Sequence, residues 1–232
     1  ILKCSVWRFV IFFTIPYFLI ARDNRHVYNH SRDTNSASEL VYPKLVNSFY
    51  ELRSNRLFWF LPDTNSYSLR KLLKEKIDSS INSGLKKEKY HLREIDKYID
   101  SNFVPMDSSS AISIDRIFTD AAITYCKDMY HGNDIDRWML SDELSSKQEA
   151  GDNQFLLKGL SNVNSQEALL VFLNSFDPLD VEYQTMKREL QSKRDSLTSL
   201  HKKQLSTSLQ FYRWMHHFKF EKWIVVNIAS AT

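Results

Sequence analysis

Residues 114–132 read IDRIFTDAAITYCKDMYHG, and their spacing sets the fold class. Ile114, Ile117, Phe118, Ala121, Ala122, Tyr125 and Met129 recur at steps of three and four, the period of one helix face. Gly132 closes the run, a residue suited to the left-handed turn that ends helices. Asp115, Asp120 and Asp128 lie among these apolar residues, and helix capping and solvent account for their charge.

The same period appears on both sides. Leu69, Leu72, Leu73, Ile77 and Ile81 predict a helix that stops at Gly84. Tyr90, Ile95, Tyr98 and Ile99 predict a second, and Glu167–Phe176 a short apolar one. The stretch Asn133–Asn164 reads as less regular. Asp177-Pro178 reads as a helix start, with Asp capping and Pro in the first turn. From there to about His217 no Gly or Pro intervenes, which fits one long helix or a hairpin. Charge and hydroxyls in 191–203, QSKRDSLTSLHKK, favour a break there. The last stretch, EKWIVVNIASAT at 221–232, carries β-branched residues from Trp223 to Ile228 and reads as a strand without a partner. The expected fold class is mainly α, an irregular helical domain with a C-terminal orphan β-strand.

Composition agrees. The 232 residues include only 4 Gly and 5 Pro, too few for a β-rich domain full of tight turns. Hydrophobic residues make up 43% and charged residues 25%, the balance of a folded chain. Net charge is +3, and basic runs such as Arg70-Lys71 and Lys86-Lys87 are followed by Glu75 and Glu88. These read as solvated helix faces, so no nucleic-acid partner is expected.

Residues 9–21, FVIFFTIPYFLIA, are apolar or neutral and follow Lys3 and Arg8. The run is shorter than the about 20 residues of a spanning helix. Residues 1–21 therefore read as a signal peptide or short membrane anchor. The expected localisation is periplasmic or cell-envelope associated, with membrane contact if the segment is uncleaved. Residues 22–38, RDNRHVYNHSRDTNSAS, read as a polar linker, in which His26 and His30 lack a third metal ligand. Residues 39–220 form the helical domain and 221–232 the strand.

Chemistry is sparse. The cysteines are Cys4, in the N-terminal segment, and Cys126. His131 is five residues past Cys126 and so leaves its helix face, and Cys126 reads as a core residue. His216 and His217 are adjacent, so they diverge on a helix. No GxSxG, HExxH or P-loop is present. No catalytic, cofactor-binding or metal residue is assigned.

Five segments taken together carry a family resemblance: FYELRSNRLFWFLPD, SGLKKEKYHL, DRIFTDAAITYCKDMYHG, SFDPLDVEYQTMKREL and YRWMHHFKFEKWIVVNIASA. In order and spacing they resemble the scaffold region of the YcbB-like L,D-transpeptidases, over roughly residues 40–232. The matching positions are Tyr50 and Trp59; Gly84, Leu85 and Tyr90; Asp115, Thr119, Tyr125 and Gly132; Pro178 and Tyr183; then Arg213, Trp214 and Trp223–Ala229. The resemblance implies an exported protein of peptidoglycan 3-3 cross-linking and cell-wall biogenesis. Its implied partners are a catalytic domain of the same polypeptide, peptidoglycan and other cell-wall enzymes. That family's cysteine nucleophile lies in an S-H-G-C-h-R motif absent here, so no catalytic residue carries over. A peptidoglycan-binding insert found in many relatives between the long helix and the Arg-Trp pair is also absent. The resemblance thus implies a scaffold that is not catalytic by itself.

Two other readings stand beside it. One is a free-standing, membrane-anchored helical interaction module that binds cell wall or a partner through Trp59, Tyr67 and Trp138, although aromatics of this kind more often fill a core. The other is an enzyme using Cys126, ranked last.

Overall fold

The computed structural model describes residues 39–61, 64–99, 107–132, 142–193 and 195–217. Cys4, His26, His30, Trp138, the segments 1–21 and 22–38 and the strand expected at 221–232 lie outside the described residues. Among the described residues there are eight α-helices and no strand.

α1 (Pro43–Leu52) begins with Pro at its first position, where a missing N–H costs nothing. It buries Val46, Phe49 and Tyr50 at helical spacing. α2 (Thr64–Ser79) follows and tightens into a 3₁₀ turn over Ser80–Ser83. Gly84 ends it with φ 72°, the left-handed stop its sequence position predicts. α3 (Leu92–Tyr98) is shorter than its apolar pattern predicts. Tyr90 lies outside it, at the end of a second 3₁₀ turn, and is completely buried.

α4 (Ser108–His131) is the centre of the fold. Asp107 caps it, accepting from Ser110 N at 2.8 Å. Every residue from Ile114 to Met129 except Arg116 is buried, so the helix is enclosed rather than one-faced. α1, α2, α3 and α8 all pack against it. Fully burying a large apolar side chain stabilises by about 1.5–3 kcal/mol, whereas an exposed ion pair gives about 0–1. The core of Phe49, Phe58, Trp59, Phe118, Leu73 and Ile77 therefore outweighs surface pairs such as Lys74–Asp78.

Three expectations are corrected here. Asn133–Asn164 contains α5 (Asp142–Ser161). Its first half is polar in sequence, and the inward Leu156, Leu157 and Leu160 come late in it, which hides the period. α6 (Gln166–Asn174) matches the short apolar helix and is capped by Ser165. α7 (Val181–Ser192) starts after Asp180, not at Asp177-Pro178. Asp177 is taken instead by the Lys187 ammonium, and the Pro178 carbonyl accepts from Gln184 Nε2 at 2.7 Å. Arg70, expected on a solvated face, is buried and donates to Trp59 O at 2.6 Å with its guanidinium 4.3 Å from the Phe60 ring centroid.

The break expected within 191–203 is present. α8 (Ser199–His217) folds back on α7, so the stretch is a hairpin. His216 and His217 are its last two residues.

Candidate functional site

The chemistry-bearing groups gather on α4. Asp115, Asp120 and Asp128 are all buried, which corrects their reading as capping or solvent-facing residues. Burying a carboxylate is costly unless donors surround it, and here each has a set.

Asp115 accepts from three successive backbone amides: Phe58 N, Trp59 N at 2.7 Å and Phe60 N at 3.0 Å. The Tyr50 hydroxyl donates to it as well. One turn along, Thr119 Oγ1 lies 2.9 Å from the Tyr50 oxygen and accepts from Trp59 Nε1 at 3.0 Å. Burial raises the Asp115 carboxyl above its ordinary range, and the four donors oppose that rise. Burial, then the adjacent Asp115 charge, holds the Tyr50 proton well above the usual phenol range.

Asp120 reaches a different segment. Its two oxygens accept from Val41 N and Tyr42 N, both at 2.8 Å. Tyr42 is the N-cap of α1 and makes no side-chain cap of its own, so Asp120 fixes the approach to that helix from α4. Asp120 also meets His91 Nε2 at 2.6 Å. His91 holds a left-handed φ of 50°, uncommon for a non-glycine residue. Asp128 accepts from the Tyr90 hydroxyl at 2.9 Å, with Lys89 Nζ at 3.9 Å.

Three carboxylates on one helix thus tie down three loops. The sequence shows acidic residues interleaved with the apolar positions of this run, but their spacing does not name their partners. Two cations join the same frame: Arg53, which the sequence reading passed over, and Arg213, which the resemblance named without a contact. Arg53 donates to Ser161 O at the end of α5 and lies 4.6 Å from the Phe58 ring centroid. Arg213, buried in α8, donates to Ser83 O at 2.9 Å and Tyr183 Oη at 2.8 Å.

Cys126 lies fully inside this helix, and burial pushes its thiol up, away from the thiolate a nucleophile needs. His131 instead stands near Asp152, 3.8 Å from its Oδ2. Trp59 is completely buried and Tyr67 half-buried, with Arg70 5.8 Å from the Tyr67 ring centroid. No group of three or more His, Cys, Asp or Glu among the described residues is placed to hold a metal. No helix among them is long and apolar enough to cross a membrane. A shallow groove of about 520 Å³ runs between α1 and α5, lined by Leu45, Ser48, Leu52, Asn153 and Leu157. The arrangement on α4 is suited to holding shape, since each of its three buried carboxylates is engaged by donors of the protein itself.

No curated protein and no solved structure matches the chain. The family model described as "Scaffold domain" matches residues 44–190, from the first turn of α1 to the last turn of α7. That match spans more than half of the 232 residues, and the protein belongs to the Scaffold domain family.

Proposed function

We propose that this chain is the scaffold portion of an exported L,D-transpeptidase of peptidoglycan 3-3 cross-linking, non-catalytic by itself and built to support a catalytic domain of the same polypeptide. One observation carries the reading. The positions that give the resemblance are those that pin the helical frame: Tyr50, Trp59, Asp115 and Thr119 form one hydrogen-bonded cluster. Tyr90 ties to α4, Gly84 and Gly132 end their helical elements with positive φ, and Tyr183 meets Arg213. A set of residues spent on internal ties is what a support requires, and the buried thiol of Cys126 supplies no nucleophile. The membership of residues 44–190 in the Scaffold domain family supports the same role.

The test is a muropeptide analysis. The chain is expressed in the periplasm of a strain lacking its own 3-3 cross-links, alone and joined to the reading frame downstream of its gene. The chain alone is expected to leave the cross-link pattern unchanged, and the extended polypeptide to add 3-3 dimers. An extended polypeptide that adds none overturns the reading. Co-sedimentation of the lone chain with purified sacculi, with no cross-linking from the extended form, supports the free-standing interaction module instead.

A further inference from the structure

α7 and α8 have a small core of their own. Tyr183, Leu190, Leu205 and Leu209 pack together, separate from the main cluster of the domain. The seam that joins this hairpin to the body is of another kind. α8 crosses the ends of two other elements, at Gly84 after the 3₁₀ turn and at Gly132 after α4. A Cβ at Gly84 would lie 2.8 Å from Ser206 Cα, and one at Gly132 would lie 2.5 Å from Gln210 O. Ser206 and Gln210 are about one turn apart, so a single face of α8 meets both ends.

Polar contacts continue along that face. Gln210 Nε2 donates to Gly84 O at 3.1 Å, and Arg213 Nη1 to Ser83 O at 2.9 Å. Lys187 pairs with Asp177 in the link that precedes α7. Close backbone approach and hydrogen bonds thus mark this seam.

Arg213 is also incompletely satisfied. It is fully buried, yet its Nε and Nη2 have no hydrogen-bond partner among the described residues. Asp177 Oδ1, at the base of α7, is a buried atom of a partly exposed side chain and also lacks a close donor among the described residues. Idle buried donors and acceptors favour any state in which water reaches them. The closed seam therefore holds buried polar groups that opening would hydrate, and the hairpin keeps its own apolar core when it opens.

We propose that the α7–α8 hairpin is a hinged arm that leaves and rejoins the body as one piece, with the contact of Arg213 to Ser83 as its latch. The hinge is the segment between α6 and α7, where Leu179 is 86% exposed. α8 ends at His217, so the state of the arm sets where that end of the described residues lies. The inference stands on the seam's geometry and is independent of the cell-wall reading.

Hydrogen exchange on the full chain, resolved by segment, is the test. Amides of 181–192 and 199–217 are expected to exchange as a block, at least about tenfold faster than those in the middle of α4. Gly84→Ala forces a Cβ against Ser206 and is expected to speed both hairpin helices while leaving α4 unchanged. Arg213→Gln, which removes the latch without adding bulk, is the second variant and is expected to act in the same direction. Hairpin amides protected as strongly as α4 in the unmodified chain overturn the proposal. So does equal acceleration of every helix in both variants.

Discussion

Tyr50 and Asp115 are 65 residues apart in the chain, and the hydroxyl of one donates to the carboxylate of the other inside the core. The bond joins α1 to α4 at the point where Asp115 also receives the three amides of the Phe58–Phe60 loop. Tyr50→Phe keeps the ring and removes one donor from a charged acceptor. It is expected to lower stability by about 1.5–3 kcal/mol. Asp115→Ala strands three amides and the phenol together, and should cost more than Tyr50→Phe. Urea unfolding with an unchanged slope measures both. The reverse order would show that Asp115 does not organise the cluster.

Two helix glycines should respond in opposite directions. A Cβ at Gly151 in α5 meets nothing within 4 Å, so Gly151→Ala gains helix propensity and stabilises by about 0.8–1 kcal/mol. A Cβ at Gly159, two turns on, would lie 2.4 Å from Phe172 Cε2 in α6. Phe172 is itself packed edge-on against Phe176 at 5.1 Å. Gly159→Ala therefore overpacks the α5–α6 contact and is expected to destabilise by about 1–3 kcal/mol. Thermal midpoints of the two variants, compared with the parent, decide it.

The buried tyrosines make stability depend on alkaline pH. Burial is the main cause in each case: it lifts Tyr183 to about 12 and holds Tyr50, Tyr90 and Tyr125 above the usual phenol range. In the unfolded chain these groups lose their protons near pH 10. Above that point the folded state holds protons the unfolded state has released, so their contribution is complete below about pH 10 and falls as pH rises toward 12. Unfolding midpoints taken across this range should decline, with tyrosinate absorbance appearing only as the chain unfolds. Tyrosinate signal from the native protein at pH 10 would contradict the burial.

At the acid end the sign is opposite. Bonds from Ser109 and Ser110 hold the exposed Asp107 carboxyl down to about 2. Its cap on α4 is in place above the ordinary carboxyl range near pH 4 and is lost as pH falls toward 2. Asp107→Asn, which caps without titrating, should flatten this part of the profile.

Cys126 offers a reporter of unfolding. In a Cys4→Ser background, a thiol reagent is expected to label Cys126 only at the rate at which the core opens, because the native thiol is enclosed and protonated. Labelling should rise with urea in step with loss of structure. Rapid labelling in water alone would restore Cys126 as a reactive group.

Periodicity made the helices legible where one face is apolar over several turns, as in α2, α4 and α6. It failed where the signal was diluted. α5 opens on polar residues and brings Leu156, Leu157 and Leu160 late, and α1 is only 10 residues long. The start of α7 misled for another reason: Asp177 has the right chemistry for a cap, but Lys187, ten residues on, claims it. The ties on α4 were out of reach of spacing altogether. A stripe of apolar residues tells which face is inward, but not that Asp115 and Asp120 will be met by amides 55 and more positions away. The resemblance did pick out Tyr50, Trp59, Asp115 and Thr119 as a set, without showing that they touch.

Asp115 and Asp120 together hold the amides of Val41, Tyr42, Phe58, Trp59 and Phe60. An amide presents the same N–H whatever side chain it carries, so these bonds are blind to residue identity at five positions. Only proline breaks them. Two aspartates on one helix therefore let both loops drift in sequence, within the limits of packing, while their paths stay fixed.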